Sequence, residues 1–170
     1  MQTFLPTPSF SVSAQMLDTK RLGKQRVEAL QILNALAGKS KGWVNHPATL
    51  MWYGYEEALT FYHDCMVAEW VQRGHRNNMP YLCQHKFAGK GEFRRNQIEY
   101  ESYPHWWRDD AMISKLTESH RSNLFRKDPE FYSALSLRTT DGRALRNDLP
   151  YFWPVTRAEV ESKRVLALCT

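Results

Sequence analysis

Apolar residues along this chain recur with helical spacing, and no segment shows a convincing strand alternation. From Leu17 to Leu36 the chain reads LDTKRLGKQRVEALQILNAL. At about 100° per residue, Leu22, Ala29, Ile32, Leu33 and Leu36 fall on one arc, the side that faces a core. Lys20, Lys24 and Glu28 recur four apart on the other arc, with Arg21 and Gln25 beside them. Ser13 or Asp18 is placed to cap this helix, and Gly38 follows its last apolar residue as a C′ glycine. A second helix is predicted from Asn45-His46-Pro47, where proline suits the first turn, with Asn45 or His46 at the cap. It carries Met51, Tyr55, Ala58, Leu59, Tyr62 and Met66 down to Trp70 and closes at Gly74, its aromatics read as core. A third covers Asp109–Phe125, opened by Asp109 or Asp110. Asp128-Pro129 restarts a short helix with Phe131, Tyr132 and Leu135, and Thr156 caps a final amphipathic one with Val160, Val165 and Leu168.

The intervals are less regular. Residues 1–12, with Pro6 and Pro8, read as an extended lead-in, and Leu149–Pro154 as a rigid apolar strip packed on the helices. From His75 to Pro104 the period is lost. There Arg76, Lys86, Lys90, Arg94 and Arg95 interleave with Tyr81, Phe87 and Phe93. Such a stretch suits either a nucleic-acid groove, cations meeting phosphates and rings meeting bases, or an irregular insertion anchored by its rings. The expectation is one all-α domain over residues 1–170, with a long basic loop at 75–104 and a C-terminal helix at 156–168.

Composition narrows the class. With 42% hydrophobic and 24% charged residues in 170, the chain can bury a core, and long disorder is not expected. A net charge of +5 and a pI near 9.2 admit nucleic acid as a partner without requiring it. Cys65, Cys83 and Cys169 form no C-x-x-C pair, which argues against a disulfide framework and for a reducing compartment. MQTFLPTPSF lacks the basic and apolar regions of a signal peptide, and no apolar run approaches the ~18 residues of a membrane span, so a cytoplasmic protein is expected. The nucleotide-loop, zinc-protease and nucleophile-elbow motifs are absent, and the six histidines are scattered. No metal and no cofactor is expected.

What remains is one carboxylate among cations. Glu28 is either half of an ordinary surface pair with Lys24, worth a few tenths of a kcal/mol, or a group that moves a proton or stabilises an oxocarbenium ion at a sugar.

Several strings carry a resemblance. LGKQRVE at Leu22–Glu28 is similar to an L-x-x-x-R-E helix, and Pro47 through Arg73 to an aromatic helix ending in R-G. Pro104-His105 leads into the third helix, and HRSNLFRKDPEFY spans His120–Tyr132. In this order they resemble the pyrimidine-dimer DNA glycosylases of the phage endonuclease V type. NHPATLMW, SHRSNLFRKDPEFY and DLPYFWP also resemble an uncharacterised bacterial branch grouped with them. The resemblance covers most of residues 1–155, apart from the loop at 76–103. It implies a compact all-α enzyme that binds duplex DNA as a monomer, flips a nucleotide and attacks C1′ with its N-terminal α-amine. A helix-borne glutamate beside an arginine assists, and β-elimination then nicks the strand. α-Amines as a class titrate near 7.7–8.0, which suits a nucleophile at cellular pH.

Two positions depart from that pattern. Position 2 is Gln rather than an exposed Thr, so the amine falls to Met1. Arg26 and Glu28 are separated by Val27, which sets them about 160° apart on a helix. The roles implied are Met1, Glu28 and Arg26 as catalytic, with Lys20, Arg21, Lys24, Gln25, His46, His120 and Arg121 against the nucleic acid. The alternatives are a non-catalytic DNA- or RNA-binding protein on the same fold, and a glycosidic-bond enzyme acting on free nucleotides.

Overall fold

The computed structural model describes residues 1–83, 98–133 and 147–168, and these are helical without a strand. The elements are α1 (Phe10–Met16), α2 (Thr19–Leu36), α3 (Pro47–Leu50), α4 (Glu56–Gln72), a 3-10 turn (Tyr100–Ser102), α5 (His105–Arg108), α6 (Asp110–Lys127), α7 (Pro129–Ser133) and α8 (Arg157–Leu168). The all-α expectation holds. Lys86, Phe87, Lys90, Phe93, Arg94, Arg95 and Leu135 lie outside the described residues.

Helix α2 starts where its cap dictates, Asp18 accepting from the Arg21 N–H at 3.0 Å. It ends in a Schellman turn: Gly38 N–H bonds Ala35 O and Lys39 N–H bonds Asn34 O. Leu22, Ala29 and Ile32 are fully buried against α4, as the apolar arc required. The two helices come close at Gly23, where a Cβ would sit 2.9 Å from the Trp70 ring.

Four local expectations need correction. Residues 10–12 belong to a helix, because Ser9 caps α1 through the Val12 N–H. Ser13 is therefore not the cap of α2; it lies inside α1, its Oγ bonded to Thr7. The Arg73 guanidinium donates to carbonyls at and just beyond the end of α1, those of Ala14, Gln15 and Leu17. The second predicted helix is two. His46 caps α3, and the chain then turns at Gly54 with φ +80°, a left-handed conformation that interrupts a helix. The last apolar stripe is also narrower than expected, with Val160 buried and Val165 exposed.

Helix α4 is buried on every side from Phe61 to Val67 and forms the centre of the core. Helix α6 buries a partly polar face, Ser119, His120, Ser122 and Asn123. Ser119 Oγ and Ser122 Oγ take the N–H groups of Phe152 and Leu149, and Arg126 donates to the carbonyls of Asn147 and Leu149. The expected strip at 149–154 is laid along α6 by these bonds. Asp128 caps α7 through the Phe131 N–H, and Tyr132 reaches Asp18 at the start of α2.

Candidate active site

Residues 2–6 are buried, yet they belong to no helix and have no neighbouring strand among the described residues. Buried N–H groups must be satisfied, and here side chains do it, all but one of them distant in sequence. Gln2 N–H points to Glu28 Oε2 (3.3 Å), Thr3 N–H to Gln2 Oε1 (2.9 Å), Phe4 N–H to Gln25 Oε1 (2.8 Å), and Leu5 N–H to His120 Nδ1 (2.9 Å). The carbonyls are held in the same way: Tyr62 Oη lies 3.0 Å from Phe4 O, and Arg121 Nε donates to Pro6 O. Trp52 Nε1 adds a bond to Thr3 Oγ1. The chain start is thus seated among α2, α4 and α6.

This seating sets Glu28. Because the Phe4 N–H is a donor, the Gln25 atom facing it is the oxygen, and its amide nitrogen turns to Glu28 Oε2 at 3.1 Å. Oε2 is therefore occupied by the amides of Gln2 and Gln25. Oε1 faces the Met1 α-amine at 4.0 Å and Lys24 Nζ at 3.9 Å. The Met1 side chain is 2% exposed and packs on the core, which fixes the amine from the other side.

A cleft of about 420 Å³ opens over this pair. Met1, Gln2, Phe4, Lys20, Arg21, Lys24, Gln25, Glu28, Lys127 and Tyr151 line it. Lys20, Lys24 and Lys127 are exposed on its rim. Lys20, Arg21 and Lys24 stand in the first turns of α2, where the helix dipole is already positive, an arrangement that helix stability alone disfavours and that an anion relieves. Arg21 is partly spent on structure, donating to Asp18, Asp128 and the Lys127 carbonyl.

The residues singled out in the sequence separate into two groups. Met1, Lys20, Arg21, Lys24, Gln25 and Glu28 meet at the cleft. Arg26, His120 and Arg121 do not line it. Arg26 turns to the opposite flank, its guanidinium 3.9 Å over the Trp70 ring and bonded to Asn77, as its angular distance from Glu28 requires. His120 has no exposed surface, so it cannot touch a phosphate; it supports Leu5 instead, and burial pulls its imidazole down to about 3. Arg121 serves Pro6. His46 caps α3 through its Nδ1, and burial lowers its pKa. The Met1 ammonium lowers it further and Glu28 opposes, which places the ring within electrostatic reach of that pair.

Sequence reasoning missed Tyr62, Lys127 and Tyr151 as parts of this site. Tyr62 Oη lies 2.7 Å from Gln25 Oε1, and burial raises its phenol well above the usual value. No period marks Lys127 or Tyr151, which reach the cleft from the end of α6 and from the strip beyond it.

The sequence model of a family described as pyrimidine dimer DNA glycosylase matches residues 1–82. The match contains the chain start and helices α1 to α4, hence Met1, Glu28 and the cations of α2, whereas Lys127 and Tyr151 fall after it. No curated protein and no solved structure matches the chain.

Proposed function

We propose that a chain whose first 82 residues carry the pyrimidine dimer DNA glycosylase pattern excises a damaged or modified pyrimidine from duplex DNA with its own N-terminal amine. The observation that carries this reading is the Met1 nitrogen 4.0 Å from Glu28 Oε1 at the base of a cation-rimmed cleft. A flipped nucleotide places its sugar over that pair while Lys20, Lys24 and Lys127 meet the flanking phosphates. Glu28 Oε1 accepts a proton from the Met1 ammonium. The neutral amine then adds to C1′ as the N-glycosidic bond breaks, and the departing base takes the bonding electrons and a proton. Opening of the sugar ring at its oxygen leaves an iminium at C1′. Loss of a proton from C2′ expels the 3′ phosphate and nicks the strand, and water hydrolyses the imine to return the amine. Among the described residues no helix is long and apolar enough to cross a membrane.

Borohydride trapping tests the reading. Duplexes carrying an abasic site or a cyclobutane pyrimidine dimer should yield a covalent protein–DNA adduct whose mass maps to the peptide containing Met1. Chemical acetylation of the α-amine should abolish it. No adduct on either duplex, with salt-sensitive DNA binding intact, would assign the chain to non-catalytic binding instead.

A further inference from the structure

Next to the cleft runs a row of rings that the proposed chemistry does not use. Tyr151, which lines the cleft, lies 5.7 Å from Trp153 at an interplanar angle of 35°. Trp153 meets the His46 ring edge-on at 5.9 Å, and His46 meets Trp43 edge-on at 5.3 Å. The inner rings are anchored. Tyr151 packs against Phe4 and His120, and the His46 Nδ1 accepts the Ala48 N–H at 3.1 Å. The outer ring is different: Trp43 is 55% exposed and has φ +66°, a conformation that L-residues seldom adopt. Its carbonyl accepts the His46 N–H, so the turn that strains Trp43 also ties it to the ring beside it. Strained residues of this kind cluster at ligand sites.

A large ring held in the open by a strained turn is poor design for stability. It suits a flat, uncharged, π-faced partner, and the lysines that line the cleft with Tyr151 mark that partner as part of a polyanion. We propose that Tyr151, Trp153, His46 and Trp43 form a stacking wall for a nucleobase displaced from a DNA duplex, and that Trp43 meets it first. The inference rests on the DNA reading above and adds the surface that receives the base. Either the damaged base or the partner orphaned by it supplies the same π-face, and the experiment distinguishes the two.

Dissociation constants at fixed salt would be measured for the wild type, Trp43→Ala and Trp43→Phe. The probes are a fully paired duplex, one with a stable tetrahydrofuran abasic analogue opposite adenine, and one with a cyclobutane dimer. Base–aromatic stacking predicts that Trp43→Ala weakens binding to an imperfect duplex by about tenfold, leaves the paired duplex unchanged, and is largely rescued by Trp43→Phe. Loss on the abasic duplex identifies the orphaned base; loss confined to the dimer duplex identifies the damaged one. Equal effects on all three duplexes, or none, would overturn the wall while leaving the catalytic reading intact. Failure of the wild type to bind any of them would overturn both. Trp153→Ala, read the same way, tests the wall without altering the Trp43 turn.

Discussion

Glu28→Gln separates the structural half of the carboxylate from the chemical half. The amide oxygen can take the place of Oε2 and keep the bonds from Gln2 N–H and Gln25 Nε2. The amide nitrogen then replaces Oε1 and aims a donor at the Met1 ammonium and at Lys24. Since Lys24 is 71% exposed, its pair with Glu28 contributes little, and what folding stability is lost comes mainly from the pair with the Met1 ammonium. The reaction loses more. A unit charge pair 4 Å apart is worth about 4 kcal/mol at an effective dielectric of 20 and about 1 kcal/mol in open water. The Glu28 side chain is only 13% exposed, which favours the upper half of that range. The single-turnover rate of adduct formation on an abasic duplex should therefore fall by roughly 10²- to 10³-fold. Affinity for the same duplex, followed by fluorescence anisotropy, should stay equal or rise because a negative charge near phosphates is gone. A rate within threefold of the wild type would refute the assignment of Glu28.

Gln25→Leu removes the acceptor for the buried Phe4 N–H and the amide that orients Glu28. It should cost about 2–4 kcal/mol in urea denaturation and lower the trapping rate, and an unchanged midpoint would contradict the account of the N-terminal segment. His120 should make the fold acid-sensitive. Its native pKa, near 3, lies below the ~6.5 of an unfolded histidine, so the unfolded chain binds the extra proton. The stability is whole above pH 6.5 and is lost at up to about 1.4 kcal/mol per pH unit as pH falls toward 3. Denaturation midpoints from pH 7 to pH 4.5 should show this slope, and His120→Gln should flatten it. Gly23→Ala would gain helix propensity but drive a Cβ to 2.9 Å from a Trp70 ring already packed against Arg26 and His75. The net should be a loss of about 1 kcal/mol, and a stabilised variant would show that α2 and α4 part easily.

The register of α2 was legible because its two arcs obey a single period. Leu22, Ala29 and Ile32 are buried, Glu28 and Lys24 face the cleft, and Arg26 lies on the flank. The floor of the cleft was not legible. It is in part the chain's own start, a segment with no period, held by residues 21 to 115 positions away in sequence. One side chain was misread for the same reason. His120 and Arg121 sit in a basic run, and local charge suggests a surface; only the docking of residues 5 and 6 on α6 reveals that His120 is fully buried against Leu5 and that Arg121 Nε holds the Pro6 carbonyl. The break at Gly54 was hidden because the apolar positions on its two sides continue one helical period, whereas backbone conformation carries no hydropathy signal.

The side-chain cradle around residues 2–6 has a consequence for the order in which the molecule becomes competent. Met1 and Glu28 are 27 positions apart, but the segment that brings them together needs His120 for Leu5 and Arg121 for Pro6. Chain growth runs from the N-terminus, so the amine waits for a helix more than a hundred residues downstream, a contact of high sequence separation that forms late. A truncated or half-folded chain, though it already contains every charged group of α2, would present those cations without a seated amine. Completion of the tertiary fold is thus what brings the amine to the carboxylate, and under the proposed chemistry it is the step that arms the site.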